Sequence, residues 1–245
     1  MSIKKGDLIT LGDHLLLCGD ATDKLAVDKL LADKKIKLIL TDVPYGVACV
    51  ESKNCFVKSK KDRKIIANDQ VQSEQSYKHF TQQWLEIVKP FLSPKNTYYI
   101  FNSDRMLFAL KNALDDSNFK FCQLLIWVKN HAVIGRMDYL PQHELIVYGW
   151  YGTHQFFKSK DKSVLAFPKP NKSPLHPTMK PISLLRHLIL NSSQIGDYVY
   201  DCFGGSGSTL IACEQTKRKC LMIEIDPEYC QVIIDRFEKL KKHEN

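Results

Sequence analysis

Seven short runs of apolar, β-favouring residues decide most of what this chain can become: Leu15 to Cys18, Ile36 to Thr41, Thr97 to Phe101, Phe121 to Val128, Glu144 to Tyr148, Tyr198 to Cys202 and Cys220 to Ile225. Several are apolar at nearly every position rather than at alternate ones. Such a strand has no face to give to water, so it must be covered on both sides. The stretches between them read as helices. Ser73 to Leu92 is ended by Pro90 and Pro94, and Ser103 to Leu114 offers Ser103 as an N-cap. Pro181 to Leu190 opens on proline, and Ser208 to Gln215 follows a glycine cluster. Asp226 and Pro227 open a last helix in which Val232, Ile233, Phe237 and Leu240 recur at helical spacing. Strands alternating with helices predict an α/β fold with a doubly wound, mostly parallel, seven-stranded sheet. Two polar segments, Gly46 to Gln72 and Tyr151 to Pro177, do not fit that sheet.

A chain of 245 residues suits one domain with a small insertion. No apolar run approaches the roughly 18 residues of a bilayer span, and Met1 to Gly6 lacks the apolar core of a signal peptide. The expected setting is therefore the reducing cytoplasm, with no membrane partner. The eight cysteines include no Cys-x-x-Cys pair, which speaks against a zinc ribbon, and no metal is expected. Cys18, Cys122 and Cys220 sit inside apolar runs, where a thiol usually serves as a small core residue. Thirty-five lysines and arginines against 27 acids leave a net charge of +8. That balance favours a polyanionic partner without establishing one.

Two motifs carry chemistry. The first, Asp201-Cys-Phe-Gly-Gly-Ser-Gly-Ser-Thr209, follows a strand and opens a helix. Glycines allow a tight turn and a close approach of ligand to backbone, and the helix start offers unpaired N–H groups. Glu224 stands at the end of the next strand, placed to accept ribose hydroxyls. Together these mark a nucleoside-cofactor site. The loop is not the full dinucleotide fingerprint, because Leu210 takes the place of the third glycine, and no Gly-Lys-Ser/Thr follows to make a P-loop.

The second motif, Thr41-Asp-Val-Pro-Tyr-Gly46, ends the apolar strand that starts at Ile36. Carboxyl ends of parallel strands are where α/β sheets hold their ligands. Asp42 and the Val43 carbonyl can accept both hydrogens of an amino group, and the Tyr45 ring can stack on a planar base.

On these two motifs the chain resembles the β group of amino-directed, S-adenosylmethionine-dependent DNA methyltransferases, of prokaryotic or phage type. Their Asp/Asn/Ser-Pro-Pro-Tyr tetrapeptide is matched by Asp42-Val43-Pro44-Tyr45, and their Phe-x-Gly-x-Gly loop by Phe203 to Gly207. The tetrapeptide precedes the loop, which is the permuted order of that group. Leu11 to Asp20, Trp127 to Asn130, Pro141 to Glu144 and His176 to Leu185 resemble further blocks of the family. Val43 departs from the family's first proline but keeps the carbonyl.

The resemblance implies a circularly permuted Rossmann-like sheet in one domain. Its catalytic half would be 1–129, its target-recognition region about 130–172 and its cofactor half 173–245. It implies Asp42, Val43, Pro44 and Tyr45 as the catalytic residues. S-adenosylmethionine would be held by Asp20 and Ala21, by His176, Thr178 and Lys180 at the methionine end, and by Asp201, Phe203, Gly204, Gly205, Ser206, Gly207, Ser208 and Thr209 in the loop, with Glu224 and Asp226 beyond it. The partner is double-stranded DNA. Lys58, Lys60, Lys61, Arg63 and Lys64 beside the tetrapeptide, with Arg136, are candidates for its contacts, and Arg136, Gln142, His154 and Lys158 are candidate readers of sequence. Asp at the first tetrapeptide position favours adenine N6, with cytosine N4 as the alternative. The family also admits a homodimer, a cognate restriction endonuclease, or a weakly active DNA-binding subunit that needs a partner. An NAD-linked oxidoreductase is the competing enzyme class, disfavoured by Leu210.

Overall fold

The computed structural model describes residues 2–44, 73–132, 138–158, 160–169 and 179–244. In chain order its elements are β1 (Leu8–Leu11), β2 (His14–Cys18), α1 (Lys24–Leu31), β3 (Ile36–Asp42), α2 (Glu74–Val88), β4 (Leu92–Asn102), α3 (Leu107–Asp116), β5 (Phe119–Val128), β6 (His143–Tyr151), β7 (Val164–Ala166), α4 (Ile182–Ser192), β8 (Tyr198–Asp201), α5 (Ser208–Thr216), β9 (Lys219–Glu224) and α6 (Pro227–Glu244). Short 3-10 turns, Lys89–Phe91 and Asp104–Met106, lead into β4 and α3.

Among the described residues one nine-stranded sheet forms, in the order β1-β2-β9-β8-β3-β4-β6-β5-β7. Strands β2, β9, β8, β3 and β4 run parallel. β6 is antiparallel to both β4 and β5. The seven apolar runs all become strands. The expectation of seven is corrected by β1 and β7 at the two edges. Both are short edge strands with little buried: β7 buries only Leu165 of its three residues, and β1 only Leu11 of its four.

The parallel strands feed two cores by alternation. On one face Leu38, Leu40 and Phe101 pack with Leu184 and Leu188 of α4, Leu210 of α5 and Ile233 of α6. On the other, Ile39 and Ile100 pack with Val27 of α1, Trp84 of α2 and Leu110 of α3. Leu38, Ile39 and Leu40 are consecutive and all buried, and each such side chain contributes about 1.5–3 kcal/mol.

The starts of α1 and α2 are set by local polar groups. Asp23 accepts the Leu25 N–H at 3.0 Å to open α1, and Ser73 accepts the Ser76 N–H at 3.1 Å to open α2. Ser103 does not cap a helix as the sequence suggested. The Asn102 side chain instead accepts the Ser103 N–H at 2.8 Å and donates to the Met106 carbonyl at 3.3 Å, so a 3-10 turn intervenes and α3 begins at Leu107. Cys18 and Cys220 are core residues as expected, whereas Cys122 is exposed. Among the described residues no helix is long and apolar enough to cross a membrane.

Candidate active site

The topology brings the carboxyl ends of β2, β9, β8 and β3 side by side. The Gly19 N–H donates to the Glu224 carbonyl at 2.9 Å, and Cys18 lies in register with Glu224. Asp20, which follows β2, thereby stands beside Glu224 at the end of β9. On the other side the Thr41 hydroxyl donates to Asp201 Oδ1 at 2.8 Å, joining β3 to β8 across 160 residues of chain. Asp42 is the next residue.

The glycine turn is built against the end of β9. The Gly204 N–H donates to the Ile223 carbonyl at 2.8 Å, so closely that a Cβ on Gly204 would lie 2.7 Å from Met222. Gly207 has φ +77° and would place a Cβ 2.9 Å from Ile233 of α6. Only glycine meets both demands there. Glu224 fixes the turn with both oxygens, accepting the Gly205 N–H at 2.6 Å and the Asp226 N–H at 2.9 Å. Asp226 also accepts the Glu228 N–H at 2.9 Å, which opens α6. Phe203 packs its ring near Phe80 and Trp84 of α2, with centroids 5.7 and 6.2 Å away. The Arg236 guanidinium, from α6, donates to the Ser206 carbonyl and hydroxyl and to the Ser208 hydroxyl at 3.4 Å.

Burial dominates the two acids of this region. It pushes Asp201 up to about 7 against the opposing hydrogen bonds from Thr209 and Thr41. It pushes Glu224 up to about 7 against its two backbone N–H donors. Asp20 is held locally, accepting both the N–H and the hydroxyl of Thr22 at 2.8 Å, and Ala21 beside it is buried.

A small cavity of about 40 Å³ lies between the two motifs. Thr41 and Asp42 line it from β3, Asp201, Phe203, Gly204, Gly205, Ser206, Ser208 and Thr209 from the turn, and Lys180 from the segment before α4. The tetrapeptide strand and the glycine turn are thus walls of one site. Lys180 donates to Asp42 Oδ2 and lies 3.2 Å from Glu144 Oε2. The Lys129 ammonium sits 2.8 Å from the other Glu144 oxygen. Burial alone would raise the Glu144 carboxyl, but Lys180 and Lys129 outweigh it and hold it down at about 2. Burial likewise opposes the charge on Lys180, yet Asp42 and Glu144 carry it above the usual lysine range. Val43 is buried in the core under α2, and Tyr77 of that helix donates to Asn102 at 3.3 Å near Asp42.

Of the residues anticipated from sequence, Tyr45, Lys58, Lys60, Lys61, Arg63, Lys64, Arg136, His176 and Thr178 lie outside the described residues. Gln142 donates to the Lys129 carbonyl at 3.1 Å and so braces the β5–β6 pair. His154 stacks on Trp150, with centroids 3.9 Å apart, and Lys158 is exposed. Glu144, Lys129 and Arg236 were not anticipated as site residues. The first two lay in blocks already singled out, at strand ends, where an isolated charge at the edge of an apolar run is the available signal. No group of three or more His, Cys, Asp or Glu able to hold a metal occurs among the described residues.

Comparison with known proteins agrees with this geometry. The family described as DNA methylase, N6_N4_Mtase, matches residues 36–235. The type II methyltransferase M.HpaI of Haemophilus parainfluenzae is 26% identical over 252 residues, covering 92% of this chain and 74% of its own. The type II methyltransferase M2.MboI of Moraxella bovis is 25% identical over 228 residues, covering 85% and 82%. Among solved structures, M1.HpyAVI in complex with SAM superimposes with a TM-score of 0.67 at 23% identity, over 90% of this chain and 98% of that one. The cytosine-N4-specific PvuII DNA methyltransferase gives 0.72 at 16% identity, over 95% and 92%.

Proposed function

This chain belongs to the DNA methylase family that matches its residues 36–235, and from that premise we propose that it methylates the exocyclic N6 of adenine at a specific DNA site, with S-adenosylmethionine as donor. The observation that carries the reading is the shared cleft, in which Asp42 and the glycine turn face each other. The residues present fit the cofactor. The turn has no room for a side chain at Gly204, and Glu224 offers a buried carboxylate beside it. The start of α5 adds backbone N–H groups. Asp20, Phe203 and Glu224 would hold the nucleoside end, and Lys180 and the turn the methionine end. When bound, S-adenosylmethionine supplies a methyl group on a sulfonium sulfur, an electrophile that needs no covalent enzyme intermediate.

The residues of the chain then have one task, which is to present a weakly nucleophilic nitrogen. The lone pair of an exocyclic amine is delocalised into its ring. Asp42 and the Val43 carbonyl accept its two hydrogens and draw the nitrogen toward a tetrahedral shape. Asp42 also receives the proton that the nitrogen sheds. The base must leave the duplex to reach this cleft, and Tyr45 is its stacking face. Asp rather than Ser at position 42 supports adenine over cytosine. The type II relatives support a cognate endonuclease acting on the same site.

Long-read sequencing of DNA from cells expressing the chain tests the reading and names base and site together. N6-methyladenine at one recurring sequence is the expected result. N4-methylcytosine would replace the base but keep the site, and unmodified DNA would overturn the activity. Asp42→Asn should lower the methylation rate on the order of 10²–10⁴-fold while leaving cofactor binding intact. Should the wild type be silent and Val43→Pro active, the chain would instead be a binding subunit with weakened catalysis.

A further inference from the structure

Four side chains of alternating charge run in a row from the cleft into the protein: Asp42, Lys180, Glu144 and Lys129. Asp42 and Lys180 already have roles at the cleft, whereas Glu144 and Lys129 have none. We propose that Glu144, anchored by Lys129, is a second seat for the Lys180 ammonium, and that withdrawal of Lys180 from Asp42 onto Glu144 is what opens Asp42 to the target amine. The proposal deepens the function given above and rests on Asp42 being the amine acceptor.

The geometry carries it as follows. Lys180 donates to Asp42 through Oδ2, so it is bound to the carboxylate that the target amine must reach. Two donors of that kind compete. Lys180 is 7% exposed, and stranding a buried ammonium without a partner costs several kcal/mol. With Asp42 as its sole counter-charge, Lys180 could not leave. Glu144 removes that obstacle, because its Oε2 already lies 3.2 Å from the Lys180 nitrogen. The Phe101 ring, with its centroid 5.1 Å from that nitrogen, supplies a further cation–π partner.

Lys129 completes the device. Its ammonium is 2.8 Å from Glu144 Oε1, the oxygen that Lys180 does not approach, so Glu144 stays ionised and fixed while Lys180 moves. The four charges sum to zero, and the shift exchanges one ion pair for another without burying net charge. It also matches the chemistry. While Lys180 sits on Asp42 the carboxylate is half neutralised, and once it withdraws Asp42 meets the nitrogen with undivided charge. Glu144 and Lys129 are accordingly positioning residues that act through Lys180.

The test uses the full chain without cofactor and a duplex carrying the site mapped for the wild type. 2-Aminopurine beside the target adenine brightens when that adenine leaves the stack. Glu144→Gln should reduce the brightened fraction on the order of tenfold and, in separate turnover assays with S-adenosylmethionine present, should raise KM for DNA more than it lowers kcat. Lys129→Met should act in the same direction. Lys180→Met should increase the signal, and Glu144→Gln should add nothing in that background. With purine, which lacks the amino group, in place of adenine, wild type and Glu144→Gln should behave alike. The proposal is overturned if Glu144→Gln unstacks adenine as well as the wild type, or if its deficit persists with purine or without Lys180. It is equally overturned if Lys180→Met leaves the signal unchanged. A wild-type chain that modifies no DNA would sink the function itself. A wild type that methylates while these variants unstack adenine unchanged would sink this inference alone.

Discussion

Glu224 and Asp201 hold their protons to about pH 7 because burial disfavours the ionised forms, whereas in the unfolded chain both ionise near pH 4. Between those values the folded state therefore binds more protons than the unfolded one, and stability falls as pH rises, by up to about 1.4 kcal/mol per pH unit for each group. Glu224→Gln removes one of the two. At pH 5, where Glu224 is itself neutral, the variant should melt below the wild type, because the amide nitrogen cannot accept one of the two N–H groups that Glu224 holds. By pH 8 it should have gained on the wild type, each kcal/mol moving the melting point of a chain this size by about 2–4 °C. A difference that stays the same at both pH values would remove the basis for a raised Glu224. Residues such as Glu224 and Asp42 are legible in sequence because each is a lone carboxylate at the end of an apolar strand. Arg236 is not, since a basic residue in a helix looks the same whether it faces solvent or a serine carbonyl.

At the scale of elements, the strand and helix runs were legible wherever both faces were covered or a proline marked an end. What escaped was short or irregular. Helix α1 spans only eight residues, and β1 and β7 are edge strands with little to bury. The start of α3 turned on the Asn102 side chain rather than on Ser103, a choice between neighbouring polar residues that no pattern of apolar positions decides. The junction of turn and helix at Gly207 is a more demanding case, because two independent constraints meet there. Its φ of +77° strains any residue with a Cβ, and Ile233 of α6 already fills the space that Cβ would take. Gly207→Ala should therefore cost about 2–5 kcal/mol in urea unfolding, backbone strain and overpacking adding together. Cofactor affinity should fall with it, since the N–H groups that begin α5 are displaced. Gly152 has a similar φ of +70°, but an added methyl there would meet no atom within 4 Å, so Gly152→Ala isolates the backbone share and should cost less.

Taken as a whole, the molecule threads its late half into its early one. Strands β8 and β9 insert between β3 and β2, which is how two motifs far apart in sequence come to face one cavity. Periodicity could locate every one of those strands but not say which would be neighbours; the order of the motifs supplied that. The same topology fixes the two points from which the basic segment 45–72 departs and returns: Pro44, two residues after Asp42, and Ser73, the cap of α2. That helix is tied to the site at both levels, through Tyr77 to Asn102 and through Phe80 and Trp84 to Phe203. Both ends of the segment are therefore anchored at the carboxyl edge of the sheet, where a target base must arrive. We propose that the cations of this segment, in a chain of net charge +8, contact phosphates flanking that base. Each phosphate contact that releases a counterion contributes about −0.9 to the slope of log affinity against log salt. Replacing Lys58, Lys60, Lys61, Arg63 and Lys64 with glutamine should weaken binding to any duplex and flatten that slope by as much as about 4, measured by fluorescence anisotropy from low to physiological salt. A binding loss with an unchanged slope would mean that these residues shape the segment rather than touch the phosphates.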